Sequence, residues 1–537
     1  MSVAKVQDML QMTSTHILNL YELYVLPNLS TVKNDKKKLA CIGSAIAATL
    51  LYSLYRKISL PPVGIRAIPR VNIFTYMASV LRGDDAHYQL KHMYAPLIAK
   101  ANGVYVRPNR CGWSVYVADP ADIRYVYSKA EIFPKAPNSI GEPNTLLSAM
   151  IRSPSIVTTV GESWKVHKKA AHPAFYRAMP VNLFGSLVQQ VFGEIEKENG
   201  TINISGYVER FSFDAITAAG FGYNANAIGD KNSEWVGYYT ALSKGAFDPF
   251  FFLFPIFDTT LRWMFPSRIH LHKILEVFLG KITQIIVDKR EMIAKGAASS
   301  LGENEKDLCT LMIEAEEGEG GVLTNAEMMN DLLTFVFAGH DTTANAMASA
   351  MYYLATHKDI QQKLREEVIE FLGDAPEDVI PTVEQTKTMT YLNMVIKETL
   401  RIMGPAVWGH PRIAAEDTEL GGFFIPKGTI IITDVIGVQH DERIWEEPYK
   451  FDPERFNPDI EDPTKRTTNA WFPFGSGQRQ CIGLNMTMTE QRVVLAMMVR
   501  KYEFCLPKDS IHKDGMIIAG MDLIGPKELV LDFTKRY

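Results

Sequence analysis

The chain has 537 residues, 47% of them apolar, and a formal net charge of -5. That length suggests several domains and that composition suffices for a large buried core, while the acidic balance argues against nucleic acid as a partner. The five cysteines (Cys41, Cys111, Cys309, Cys481 and Cys505) are odd in number and scattered, so a reducing compartment is expected and a disulfide framework is not.

The first predicted element is apolar. Lys33 and Lys36 to Lys38 precede the run Leu39 to Tyr55, and Arg56-Lys57 follow. Seventeen residues of helix extend about 26 Å, short of a hydrocarbon core of ~30 Å. A single transmembrane anchor over 39–55 is the preferred reading, with a buried helix as the alternative. The late start argues against a cleaved signal. Residues 1–38 form a leader, in which Val3 to Leu26 reads as an amphipathic helix on a membrane surface. Asn28-Leu29-Ser30 is a glycosylation sequon if the leader is lumenal. Basic residues on both sides leave the orientation open. Leu60-Pro61-Pro62-Val63-Gly64 is a stiff break, and the domain that follows is placed at 60–537.

Beyond the break the pattern is mainly helical. Gly103 to Val117 and Phe423 to Thr433 read as strands, with β-branched and aromatic alternation. Trp164 and Lys168, four apart, share one helix face. The segment Phe247 to Phe257 sets many aromatics between prolines, costly in water. It is either core packing or a loop dipping into a bilayer beside a substrate entrance. Glu303 to Gly321 is acidic, carries glycines and reads as a mobile surface loop.

Thr324 to His357 reads as one long helix opened by a capping box, Thr324-x-x-Glu327. Inside it lies Ala338-Gly339-His340-Asp341-Thr342-Thr343. A buried helix explains a threonine bonded back to a carbonyl. It does not explain a glycine, an acid and two threonines together, each poor in helix propensity. Lys397-Glu398-Thr399-Leu400-Arg401 places Glu398 and Arg401 on one helix face, and Phe451-Asp452-Pro453-Glu454-Arg455-Phe456 follows about fifty residues on. Near the end stands Phe474-Gly475-Ser476-Gly477-Gln478-Arg479-Gln480-Cys481-Ile482-Gly483, then an apolar helical stretch. A thiolate at Cys481 has a helix N-terminus and the Arg479 cation beside it, which favours the ionised form. That is the anatomy of a soft-metal thiolate ligand.

The run Phe474-x-x-Gly477-x-Arg479-x-Cys481-x-Gly483 resembles the haem-binding signature of the cytochrome P-450 superfamily. The resemblance covers roughly residues 60–537, with its motifs in family order. It implies the cytochrome P-450 fold, mainly α with small β-sheets, with haem b between the long central helix and the Cys-loop helix. Cys481 would be the iron ligand, and Phe474 would pack near the sulfur. Arg479, Arg412, Trp164 and Lys168 would anchor the haem propionates, Lys168 standing where arginine is common. Gly339 would leave room for dioxygen, and Asp341 and Thr342 would form an acid–alcohol pair that delivers protons. His340 is taken as structural. Glu398, Arg401 and Arg455 would form a buried triad supporting the thiolate loop.

The expectation is a haem-thiolate monooxygenase that hydroxylates a lipophilic steroid, fatty acid or xenobiotic with O2. Electrons would come from NADPH through a separate flavoprotein reductase, with cytochrome b5 as a second donor. Lys165, Lys168 and Lys169 offer a basic docking patch. The chain resembles microsomal, particularly fungal, members, with the catalytic domain cytosolic at the endoplasmic reticulum membrane. A reductase-independent haem-thiolate isomerase or peroxygenase, and a non-enzymatic haem-binding protein, are the alternatives.

Overall fold

The structure is a computed structural model. It describes residues 36–537 except 138, 178–179, 199, 296–305, 319–322, 461–466 and 521. The chain divides into two units, with the break between Pro62 and Val63.

In the first unit, helix α1 (Lys36–Ser59) contains the apolar run with Lys36 to Lys38 before it and Arg56-Lys57 after it. Ile46, Leu50, Leu51, Tyr52 and Tyr55 are exposed on it. Among the described residues no helix is long and apolar enough to cross a membrane. The expected element over 39–55 is therefore a helix without the hydropathy of a span. Gly43, Ser44, Thr49 and Ser53 and the alanines between them dilute its apolar surface. The leader's amphipathic stretch and its sequon lie outside the described residues.

Among the described residues the second unit is mainly helical with four small sheets. The largest sheet contains β1 (Val104–Asn109), β2 (Gly112–Val117), β3 (Arg412–Ile413) and β4 (Ile430–Thr433), in the order β1-β2-β4-β3. Strands β1 and β2 form a hairpin in which Tyr105 faces Tyr116 and Arg107 faces Ser114. The expected strand over 103–117 is thus two strands, turned at Arg110-Cys111. The expected strand over 423–433 also divides. Phe423–Ile425 pairs with Thr418–Leu420 in a separate two-stranded sheet, because Pro426 and Gly428 break the run before β4.

The helices that frame the site are α2 (Gly161–Arg177), α3 (Ile204–Phe221), α4 (Glu234–Ala246), α5 (Pro249–Leu253), α6 (Asn325–Thr356), α7 (Thr390–Ile402) and α8 (Leu484–Lys501). Helix α6 starts where the sequence places it: Thr324 accepts from Glu327 N, and Glu327 Oε2 accepts from Thr324 N at 2.8 Å. Its apolar residues are buried on nearly every face, so it is the spine of the unit. The acidic stretch expected as a loop contains a helix instead, Leu308–Gly318. Its first turns are buried all round, from Leu308 to Ile313, and the Asp307 carboxylate caps Thr310 N at 2.9 Å.

The acid–arginine triad assembles as expected. Arg401 Nε and Nη2 hold the two oxygens of Glu398 at 2.7 and 2.9 Å, and Arg455 Nε approaches Oε1 at 3.4 Å. Asp452 N donates to the same carboxylate at 3.0 Å, so α7 is tied to the turn Pro453–Phe456. A buried pair broken by removal of one partner costs about 3–5 kcal/mol.

Candidate active site

The loop before α8 turns twice through the left-handed region, at Gly475 (φ 64°) and Gly477 (φ 69°). A Cβ on Gly477 would lie 2.9 Å from Tyr127 O, so only glycine fits there. The loop closes when Cys481 N donates to Phe474 O at 3.0 Å. Cys481 Sγ receives the backbone N–H groups of Gly483 and Leu484 at the start of α8. Burial raises the thiol's pKa, and these two donors oppose it. Arg479 does not provide the expected cation beside the sulfur. Its guanidinium lies 3.8 Å from the Trp164 ring centre and donates to Ile156 O and Thr159 O.

Protein surrounds the sulfur except on one side, where Cys481 opens onto a hollow of about 330 Å³. The hollow lies between the Cys481 loop and α6, whose Ala338, Gly339, Thr342 and Thr343 form the opposite wall. Three cations line it: Lys135, Arg412 and Arg479. None of them makes an ion pair among the described residues. Burial, followed by repulsion from the two arginines, pushes Lys135 well down. Burial and then Arg412 bring Arg479 to about 10. His410, with Ser139 Oγ 2.6 Å from its Nε2, is held neutral by burial and the same cations. A hollow with apolar walls, a thiol on one side and uncompensated positive charge at its edge fits haem, an iron macrocycle carrying two carboxylates.

The structure brings four of the six predicted cofactor residues to this hollow: Cys481, Arg479, Phe474 and Arg412. Trp164 and Lys168 do not line it. Trp164 supports Arg479 from behind, and Lys168 Nζ donates to Gln478 O at 3.3 Å. Lys135 and Tyr127 were missed, since each comes from a segment with no motif of its own, whereas His410 stands two residues before Arg412 in Gly409-His410-Pro411-Arg412.

A second cavity of about 340 Å³ meets the first along Ala338, Thr342, Ala406, Trp408, Gly409 and His410. Both predicted proton carriers line it, but they are not bonded to each other. Thr342 Oγ1 donates back to Ala338 O at 2.6 Å. Asp341 accepts from Ser243 Oγ of α4 at 2.6 Å and pairs with His340 Nδ1 at 2.7 Å. His340 Nε2 lies 2.8 Å from Glu209 O, which can only accept. With an acceptor at each nitrogen the ring carries both protons. Burial opposes each charge, yet the pairing wins, raising His340 and lowering Asp341. His340 is thus the partner of the acid. Gly339 lines the hollow, but its missing Cβ would press on Ile216 at 3.1 Å, so it also lets α3 approach α6 closely.

The family model for Cytochrome P450 matches residues 113–521. Cytochrome P450 3A12 of the dog is 29% identical over 439 residues, covering 75% of this chain and 82% of that one. Cytochrome P450 3A29 of the pig is 28% identical over 489 residues, covering 85% and 87%. These relatives are mammalian, so they give no support to a fungal type. The crystal structure of cytochrome P450DA heme domain superposes with a TM-score of 0.72 at 20% identity, covering 88% of this chain and 98% of that one. A thiol-faced, cation-rimmed hollow between α6 and α8, together with a family match over most of its length, makes this chain a member of the cytochrome P450 family, a monooxygenase whose family and fold bind haem through a cysteine thiolate.

Proposed function

We propose that the chain hydroxylates a lipophilic small molecule at the shared wall of the two cavities, with Cys481 as the haem ligand. The observation that carries this is the sulfur's open face on a hollow whose three cations have no carboxylate partner among the described residues. Bound haem supplies the activation of O2. Arg479, Arg412 and Lys135 would hold its propionates, and Trp164 and Lys168 would steady Arg479 and its loop. Thr342 stands where both cavities meet and would position water there once its hydroxyl leaves Ala338 O. Asp341, fed by the doubly protonated His340, would return the proton. The largely apolar second cavity suits a substrate such as a steroid, fatty acid or xenobiotic.

Electrons would come from NADPH through a flavoprotein reductase, with cytochrome b5 as a second donor, docking near Lys165, Lys168 and Lys169. The catalytic unit would sit on the cytosolic side of the endoplasmic reticulum membrane. Here α1 and the exposed aromatic face at 250–264 would both hold it to the bilayer. The test is Cys481→Ala in the purified protein. The ferrous carbon monoxide complex should lose its red-shifted thiolate band, and turnover with NADPH and reductase should vanish. Survival of the band overturns the ligand assignment. Full turnover of the wild-type protein with peroxide alone favours the reductase-independent alternative.

A further inference from the structure

Arg107 is the most anomalous charge in the second cavity. It sits on β1 with 4% of its surface exposed, and it lines the cavity that also holds Thr342. Other buried arginines are answered. Arg401 and Arg268 pair with Glu398 and Asp258, while Arg365 and Arg500 each donate to backbone carbonyls. Arg412 belongs to the cofactor hollow. Among the described residues Arg107 bonds only neutral phenols, from Nη1 to the Tyr94 hydroxyl at 2.5 Å and more weakly towards that of Tyr116. Its Nε is buried without a partner, and it forms no ion pair among the described residues. The guanidinium carbon lies 4.2 Å from the Trp408 ring centre and 4.5 Å from that of Tyr116, with Tyr94 and Tyr76 at 5.0 and 5.5 Å. This cage fixes the cation without an ion pair. The three acids on the cavity wall are committed elsewhere, Asp522 to Arg110 at 3.3 Å, Asp84 to Arg82 at 2.6 Å and Asp341 to His340 and Ser243. The buried Asp434 feels the Arg107 charge, but its bonds go to the Tyr105 hydroxyl at 2.8 Å and Gly437 N at 2.8 Å. A guanidinium has five donors, and burying one with only neutral phenol acceptors is expensive unless an anion joins it.

We infer that Arg107 is a specificity residue that binds the carboxylate of an amphiphilic substrate, whose apolar body then lies along Leu147, Met150 and Phe337 towards Thr342. The inference rests on the substrate role given to this cavity above and narrows the class to lipophilic carboxylic acids. A planar fork held by aromatic faces is pre-organised for two-point contact with a carboxylate.

The test uses the full-length holoenzyme at pH 7.5, with dodecanoic acid and its methyl ester as probes. Binding is read by calorimetry and by the haem absorption shift. The acid should bind about tenfold tighter than the ester or better, in line with a charged hydrogen bond. That preference should fade as the acid protonates at lower pH. In Arg107→Met the two probes should bind equally, with ester affinity unchanged, while Arg107→Lys keeps part of the preference. Equal binding by the wild type, no binding of either probe, or a preference that survives in Arg107→Met overturns the proposal. The wild-type comparison decides even if Arg107→Met takes up no haem. A normal thiolate band in the wild type shows that the monooxygenase reading stands whichever way this goes.

Discussion

At the scale of the residue, the cofactor hollow contains one acid that no motif announces. Glu490 of α8 lines it, fully buried, and burial pushes its carboxyl up to about 8. The surroundings agree with a neutral acid. The Ser212 hydroxyl beside it, which also bonds His340 O at 3.1 Å, opposes burial only in part. A raised acid favours folding most below its unfolded pKa and loses that advantage as pH climbs to the folded value. The window here runs from about 4.5 to about 8. Glu490→Gln should therefore gain on the wild type as pH rises from 5 to 8, by on the order of 4 kcal/mol at most. Urea midpoints of both holoproteins across that range check this, and parallel profiles would refute it. Glu490 was illegible in sequence because its neutrality comes from α3 and the hollow, not from its neighbours in the chain. Cys481, Arg479 and Arg412 were legible because loop and strand patterns mark them. The charges gathered around Arg479 were not, since Lys135 and His410 meet it only in the folded chain.

At the scale of the element, the aromatic stretch from Phe247 to Phe257 divides between packed and exposed side chains. Phe247 and Phe252 line the second cavity, and the Phe251 ring carries the Arg268 guanidinium at 4.3 Å. Phe254, Ile256, Trp263 and Met264 are exposed. Short helix α5 makes this possible: Asp248 caps it, so successive phenylalanines leave in different directions. Replacing Phe254, Ile256 and Trp263 with serine should weaken partition of the holoenzyme onto lipid vesicles by at least about tenfold. Co-sedimentation measures it, and unchanged partition would mean that this face stays in water. Serine at Phe251 and Phe252 should instead alter ligand binding and leave partition alone. The long helix α6, by contrast, could be read to within a residue at each end, because its capping box is a local hydrogen-bond motif. The strands over 103–117 and 423–433 could not, since turn positions compete with a continuous alternating pattern.

At the scale of the whole molecule, the break between Pro62 and Val63 leaves every residue of both cavities in the second unit. A chain beginning at Val63 should take up haem in the same ratio as the full chain and show the same thiolate band. Pyridine haemochrome assay and carbon monoxide difference spectra check it, and loss of haem would show that the first unit supports the fold. The hollow itself is assembled from segments between Tyr127 and Glu490. At ordinary rates of synthesis, roughly 20 to 70 s separate the emergence of its first wall from that of its last. For most of that interval a growing chain has Lys135 alone at the rim, joined late by Arg412, and Arg479 arrives only with the sulfur. Cofactor capture is therefore a late event in the life of each molecule, and a stalled or shortened chain that ends before α8 is a haem-free product with an open core, suited to quality control rather than to catalysis.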